Sequence, residues 1–144
     1  MKLVESVKLP LSDYVSTCYF CTLDCTRIIA SNNHAFAIID GFPISTGHAL
    51  IIPKRHISSL FEATREERDS LFDLLEQIKV ELQEKYKADG FNIGINDGTA
   101  AGQTVMHLHI HLIPRYTGDQ TDPRGGVRWI FPDKAAYWKS EERP

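Results

Sequence analysis

The chain has 144 residues, 42% of them hydrophobic and 24% charged, with a formal net charge of −3. This length suits one domain with a hydrophobic core, and the lack of a basic excess argues against nucleic acid as the main ligand. The amino-terminal stretch MKLVESVKLP lacks the apolar segment of a signal peptide, and no apolar run approaches the roughly 18 residues of a membrane span. Three cysteines suit a reducing compartment better than a disulfide scaffold, so we expect a soluble cytoplasmic protein that does not bind membranes.

The first half of the chain predicts two strands followed by a long helix. The apolar runs HAFAIID (34–40) and GHALIIP (47–53) are separated by a turn-rich loop. Thr64 and Glu67 then form a capping-box pattern, and Gly90 is expected to end the helix. The apolar residues spaced for one helical face are Leu71, Leu74, Leu75, Ile78 and Leu82.

The second half predicts two more strands. FNIGIN (91–96) and VMHLHIHLI (105–113) both alternate, with a glycine-containing loop between them. Strands, one long helix and further strands indicate an α+β fold in which an antiparallel sheet packs on one helix. We expect a single domain over residues 1–144, with its core at about 15–116 and a tail at 117–144.

The stretch QTVMHLHIHLIPR (103–115) carries a histidine at every second position, with aliphatic residues between them. In a strand, alternate residues share a face, so the imidazoles are expected to point one way and the aliphatic side chains into the core. A polar outer face that carries histidine by chance is one alternative. A metal site made by these histidines alone is another, although ligands from one short strand converge poorly. The histidines are His107, His109 and His111, and the aliphatic residues are Leu108, Ile110 and Leu112.

The chain resembles the histidine triad (HIT) family, named for the pattern His-φ-His-φ-His-φ-φ with φ apolar. HLHIHLI fits each position, and the resemblance extends from CYFC (18–21) through IIDGFPISTGHALIIPKRHIS (38–58) to NDGTAAGQTVMHLHIHLIPR (96–115). It implies a mixed α+β fold, usually a homodimer, in a nucleotide hydrolase or transferase that acts at the α-phosphorus. The segment DPRGGVRWIFPDKAAYW (122–138) resembles the tails of bacterial members similar to dinucleoside polyphosphate hydrolases.

The resemblance assigns a catalytic role to each histidine. His109 matches the nucleophile, which forms a nucleotidyl-histidine intermediate that water then hydrolyses; a neutral imidazole is competent for this near pH 7. His111 matches the residue that donates a hydrogen bond to a nonbridging phosphate oxygen. His107 matches the residue that orients the ring of the nucleophile through hydrogen bonding.

Four further residues are expected to bind substrate by the same resemblance. Asn96, Gln103 and Thr104 would contact phosphate oxygens or the leaving group; a loop that needs glycine only for its turn is the alternative. Asp40 would accept hydrogen bonds from the ribose hydroxyls, or would instead form a turn before Gly41.

A structural zinc site is predicted from CYFC and two histidines. Cys18 and Cys21 alone are a weak signal, because two buried thiols or a redox pair give the same pattern. A subset of the family adds His56 and His107 to complete a tetrahedral site, and the chain matches that subset. The alternative is a metal-free site, as in other relatives. Cys25, His34 and His48 receive no role.

The expected activity is hydrolysis of dinucleoside polyphosphates at the α-phosphorus. A purine nucleoside phosphoramidase and a nucleotide-binding regulator with little turnover are the alternatives. Phe20 is assigned to a base pocket or to the core. In the expected homodimer, the tail from Asp122 to Trp138 would shape the partner's substrate pocket. Arg128 and Trp129 would then contact the phosphate or the base; the alternative is that they only pack at the dimer interface.

Overall fold

The structure is a computed structural model that describes residues 14–141. Residues 1–13 and 142–144 lie outside the described residues, and with them the amino-terminal stretch and both ends of the predicted domain. Within 14–141, no helix combines the length and apolar character needed to cross a bilayer.

The fold is an antiparallel five-stranded sheet with one long helix, which confirms the predicted α+β architecture. The spatial order of the strands is β1-β2-β3-β5-β4, with β1 and β4 at the edges. The sequence patterns did not predict β1. The strands are β1 (Ile28–Ser31), β2 (Ala35–Ile39), β3 (Ala49–Pro53), β4 (Gly90–Gly94) and β5 (Ile110–Arg115).

The long helix, α1 (Arg65–Tyr86), begins at the predicted capping box. Thr64 Oγ1 accepts a hydrogen bond from the Glu67 N–H, and the Glu67 carboxylate accepts one from the Thr64 N–H. The expectation that Gly90 ends the helix is wrong. Lys87 ends it by adopting the left-handed conformation, with φ 58°, and donating its N–H to the Gln83 carbonyl, so the chain is free to begin β4 at Gly90.

Each face of the sheet is covered by its own apolar cluster. The apolar face of α1 packs on one side against the aliphatic residues of the triad segment, as the alternation predicted. On the other side, Cys18 and Phe20 pack with alternate apolar residues of β2 and β3. The pairing of Leu50 with His111 in neighbouring strands puts His111 on this second side of the sheet.

The triad segment forms a strand over only part of its predicted length. β5 begins at Ile110, so His107 and His109 precede the paired region. The reason is a change of partner: the Leu108 N–H donates to the Ile57 carbonyl, 2.6 Å away, instead of continuing the ladder to β3. His107 stays on the same side of the sheet as His109, since both rings pack edge-to-face on Phe20. Its Nδ1 faces the thiols of Cys18 and Cys21.

Candidate active site

His109 is held in one orientation by the backbone. Its Nδ1 lies 2.8 Å from the main-chain carbonyl oxygen of His107. A carbonyl can only accept, so Nδ1 carries the proton and Nε2 keeps its lone pair. Among residues 14–141, no hydrogen-bond partner lies at Nε2. The family resemblance implied that His107 orients the nucleophile through hydrogen bonding, and the contact observed comes from the carbonyl oxygen of His107 rather than from its ring.

The ring of His109 also lies against two aromatic rings. Its centroid is 5.1 Å from that of Phe20 and 5.2 Å from that of His111, and both contacts are edge-to-face. Phe20 is 5% exposed and belongs to the second apolar cluster. Phe20 is therefore a core residue that also fixes the plane of the His109 imidazole.

A chain of hydrogen bonds fixes the tautomer of His111. The Ile44 N–H donates to Nδ1 of His48, so the proton of a neutral His48 is on Nε2. That Nε2 lies 3.0 Å from Nδ1 of His111 and 3.4 Å from the Asp40 carboxylate. Nδ1 of His111 therefore accepts, and its Nε2 carries an N–H that can be donated to a ligand.

Burial lowers the pKa values of His111 and His48. It lowers the pKa of His111 to about 4, with further lowering by His109 and His48 and an opposing effect of Asp40. Burial also lowers the pKa of His48, against the raising effect of Asp40. Near neutral pH the rings of His111 and His48 therefore carry one proton each, so Nδ1 of His111 accepts a hydrogen bond and its Nε2 donates one.

A second cluster joins the four predicted metal ligands. The ligand atoms of Cys18, Cys21, His56 and His107 all lie within 4.8 Å of one another. Cys18 Sγ is 3.5 Å and Cys21 Sγ is 3.6 Å from Nδ1 of His107, and Cys21 Sγ is 3.4 Å from Nδ1 of His56.

The side chain of His107 is oriented for this cluster by its other nitrogen. Nε2 lies 2.8 Å from the Pro53 carbonyl, so it carries the proton and leaves the Nδ1 lone pair facing the thiols. Burial lowers the pKa of His107 to about 4, which favours the neutral, ligating form of the ring. His107 thus joins the two clusters, with its side chain in one and its carbonyl oxygen in the other.

A cavity of about 400 Å³ adjoins His111 and His48. Asp40 and Asn96, two of the predicted substrate-binding residues, line it. One Asp40 oxygen accepts a hydrogen bond from the Phe42 N–H, the turn geometry expected before Gly41, and the other faces His48. Asp40 therefore forms the turn and also lines the cavity.

The other two predicted substrate-binding residues lie apart from that lining. Thr104 is exposed. Gln103 is 5% exposed, accepts from the Gly98 N–H, and donates to the carbonyls of Ser58 and Val105. In this conformation the Gln103 side chain stabilises the glycine-containing loop before the triad segment. To contact a phosphate directly, it would have to give up some of these three hydrogen bonds.

The tail packs on its own chain. Val127 lines the 400 Å³ cavity, and Trp129 lines a larger neighbouring one. Arg128 instead donates to the carbonyls of Lys134 and Ala135 and stacks on Tyr137, so its guanidinium is used within the tail.

Sequence reasoning missed His48. The signal would have been the register of β3 with β5, which pairs Leu50 with His111 and so places His48, two residues earlier, on the same face. Cys25 and His34, also left without a role, are exposed and lie outside both clusters.

An antiparallel sheet on one helix, with adjacent imidazoles at its second face, defines a histidine triad protein. The model of the HIT domain family matches residues 24–118, and the chain belongs to this family. An uncharacterized HIT-like protein of Mycoplasma genitalium is 37% identical over 70% of this chain and 74% of its own length. A bis(5'-adenosyl)-triphosphatase of Saccharomyces cerevisiae is 38% identical over 62% of this chain and 44% of its own length.

Solved structures agree with this assignment. A zinc-bound histidine triad protein from Mycobacterium smegmatis superposes with a TM-score of 0.67 at 35% identity, covering 74% of this chain and 80% of the other. The diadenosine triphosphate hydrolase of Plasmodium falciparum gives a TM-score of 0.66 at 26% identity, covering 69% of this chain and 68% of the other.

Proposed function

We propose that this protein is a nucleotide hydrolase that cleaves dinucleoside polyphosphates at the α-phosphorus through a covalent intermediate on His109. The observation that carries the proposal is the 2.8 Å contact between Nδ1 of His109 and the His107 carbonyl, which leaves the Nε2 lone pair available. A nucleophile needs that lone pair together with a group that holds the ring in place. The similarity to adenosyl-polyphosphate hydrolases of yeast and Plasmodium supports the same class of substrate.

The reaction takes two displacements at phosphorus. In the first, the Nε2 lone pair of His109 forms a bond to the α-phosphorus while the bond to the bridging oxygen breaks, and the polyphosphate part of the substrate leaves with the electron pair. The His107 carbonyl accepts from Nδ1–H and stabilises the positive charge that develops on the ring. In the second, a water oxygen attacks the same phosphorus and loses a proton to solvent, the phosphorus–nitrogen bond breaks with its electron pair returning to Nε2, and a nucleoside monophosphate is released.

The neighbouring residues bind the nucleotide around this phosphorus. Nε2–H of His111 donates to a nonbridging oxygen as negative charge builds there. Asp40 and Asn96 share a cavity with His111, which suits contacts to the ribose hydroxyls and to phosphate oxygens, respectively. Thr104 offers a hydroxyl from the loop that leads into the triad segment.

We further propose that Cys18, Cys21, His56 and His107 hold a structural zinc ion. Zinc–sulfur bonds of about 2.3 Å and zinc–nitrogen bonds of about 2.0–2.1 Å, arranged as a tetrahedron, separate sulfur from nitrogen by about 3.5 Å. The 3.4, 3.5 and 3.6 Å sulfur–nitrogen separations in the cluster match this value. The ion would immobilise His107 and, through its carbonyl, the ring of His109. Its thiolate ligands suit the reducing conditions of the cytoplasm.

A homodimer is the proposed assembly. β4 is an edge strand with a partly exposed apolar residue, Ile93, and α1 exposes Phe72 and Val80. Pairing of two such edges around a two-fold axis would bury these side chains and satisfy the free backbone groups of β4.

The activity is tested by comparing two substrates in heavy-oxygen water. The purified protein is incubated with diadenosine tetraphosphate and, separately, with adenosine 5'-phosphoramidate, and products are quantified by chromatography and mass spectrometry. We expect faster turnover of the tetraphosphate, with the heavy oxygen in the adenosine monophosphate and none in the triphosphate. Preference for the phosphoramidate would identify a phosphoramidase, and failure to cleave either would indicate a binding protein.

A further inference from the structure

We propose that a second cavity, built by the tail against the sheet, binds the nucleoside of the leaving group. This inference rests on the proposed function and adds a second subsite to it. The cavity has a volume of about 770 Å³, and Ile44, Asn92 and Ile113 line both it and the 400 Å³ cavity that adjoins His111. The two cavities are therefore neighbours, and we place the polyphosphate of a substrate whose first nucleoside lies beside the triad along these shared residues.

The walls of this cavity match the flat faces of a nucleobase. Trp129 and Trp138 of the tail line it, together with Tyr116, which follows β5. Trp129 is 44% exposed, and its Nε1 donates to the Arg124 carbonyl, which fixes the plane of the indole. Aromatic side chains held in this way stack on any base, because each base has a π-face.

Two residues that line the cavity each have a buried side-chain polar atom without a hydrogen-bond partner among residues 14–141. These atoms are Ser45 Oγ and Trp138 Nε1. Buried polar groups are seldom left unpaired without a reason. The indole N–H can only donate, whereas the hydroxyl can donate or accept, and the edge of a heterocyclic base supplies both kinds of partner.

The charges of the cavity favour an uncharged group over a phosphate. Its charged lining consists of two cations, Arg115 and Lys139, and two anions, Asp119 and Asp122. Arg115 is bound to Asp119 at 2.8 Å, and Arg124 binds Asp122 at 2.9 Å. Of the lining residues, only Lys139 is then a cation without a paired anion, so a nucleoside suits the cavity better than a chain of phosphates, which lies instead along the residues shared by the two cavities.

Fluorescence can test this subsite directly. The chain has two tryptophans, both of which line the larger cavity and neither of which lines the smaller one. Diadenosine tetraphosphate should therefore quench the tryptophan fluorescence saturably, while adenosine 5'-tetraphosphate, which lacks the second nucleoside, should change it much less at saturation. Equal quenching by both compounds, or none by the dinucleotide, would overturn the proposal.

Kinetics of tail variants supply the second readout. Trp129→Ala should lower kcat/KM for the dinucleotide by about fivefold to a hundredfold, the range expected for one lost base stack, and leave kcat/KM for adenosine 5'-tetraphosphate nearly unchanged. Trp129→Phe keeps an aromatic face and should restore most of the loss. The control is Phe131→Ala, since Phe131 is 67% exposed and lies outside both cavities.

Loss of activity toward both compounds in Trp129→Ala, with no rescue by phenylalanine, would overturn the subsite. If the wild-type protein cleaves neither compound, the proposed activity fails, and fluorescence alone decides the subsite. In that case, saturable quenching specific to the dinucleotide supports it and lack of such quenching overturns it.

Discussion

Nδ1 of His109 lies 2.8 Å from the carbonyl oxygen of His107, the same residue whose imidazole faces two cysteines and a third histidine. One residue thus connects the candidate nucleophile to the candidate metal site through its backbone and its side chain. A substitution in the candidate metal site is therefore expected to change the orientation of the His109 ring, and a substitution of His109 is expected to affect the metal site.

The first prediction concerns the nucleophile. His109→Ala should lower kcat by roughly a thousandfold or more, because no other described side chain offers a free imidazole nitrogen at this position. Binding of a nonhydrolysable dinucleotide, measured by calorimetry, should change little. His34→Ala is the matched control, since the His34 side chain is exposed and lies outside both side-chain clusters and the 400 Å³ cavity. A loss of only a few fold in His109→Ala would refute the assignment.

The second prediction concerns His48 as a positioning residue. His111→Ala should lower kcat by about 10² to 10³, the usual effect of losing one donor to a developing oxyanion. His48→Ala should have a smaller effect in the same direction. Without the hydrogen bond from His48, the proton of His111 is no longer held on Nε2, where it is needed for donation to the phosphate oxygen. If His48 acts through His111, the double variant should be no slower than His111→Ala alone. Losses that multiply would show that His48 acts independently.

The third prediction concerns metal content. Elemental analysis should find about one zinc per chain in protein purified without chelator. Cys18→Ser should reduce this to near zero and lower the temperature of unfolding, because a structural metal stabilises the folded state. Cys25→Ser should do neither, since Cys25 is exposed and outside the cluster. Wild-type protein without zinc would exclude the site.

The fourth prediction concerns pH and stability. The pKa of His111 is about 4 in the folded chain and 6.5 ordinarily. Between these values the unfolded chain binds a proton that the folded chain does not, so the free energy of unfolding should fall as the pH is lowered from 6.5 to 4. The contribution of this group becomes constant about one pH unit above 6.5, where both the folded and the unfolded chain have lost the proton.

Thermal unfolding of the wild type and of His111→Asn across this range isolates the effect, since the other histidines are common to both proteins. The stability advantage of the wild type over the variant should shrink as the pH falls. Parallel curves for the two proteins would show that His111 contributes nothing to the pH dependence.

The fifth prediction concerns assembly. Light scattering at micromolar concentration should report a dimer, and Ile93→Lys should convert it to a monomer, because a lysine on an edge strand opposes pairing with a second sheet. Ile29→Lys is the control: Ile29 has nearly the same exposure, 47% against 49% for Ile93, but lies on the opposite edge strand. A monomeric wild type would refute the dimer, and dissociation by both variants would argue against an interface specific to β4.

The sequence by itself determined the family, the helix and the candidate catalytic segment. These follow from local regularities: histidines at every second position, apolar residues at helical spacing after Thr64, and a capping box that forms as the pattern predicted. Each depends on residues close together in the chain, whose geometry is set by the 3.6-residue and two-residue periods of helix and strand.

Only the tertiary structure decided which groups meet across the sheet. His48 enters the site because β3 pairs with β5 in one register. The Leu108 N–H bonds to the Ile57 carbonyl instead of to β3, and the imidazole of His107 meets Cys18 and Cys21 from a distant part of the chain. The larger cavity exists because the tail folds back over β4 and β5. Such contacts depend on the register between strands and on competition for backbone hydrogen bonds, and neither is encoded in the spacing of residues along the chain.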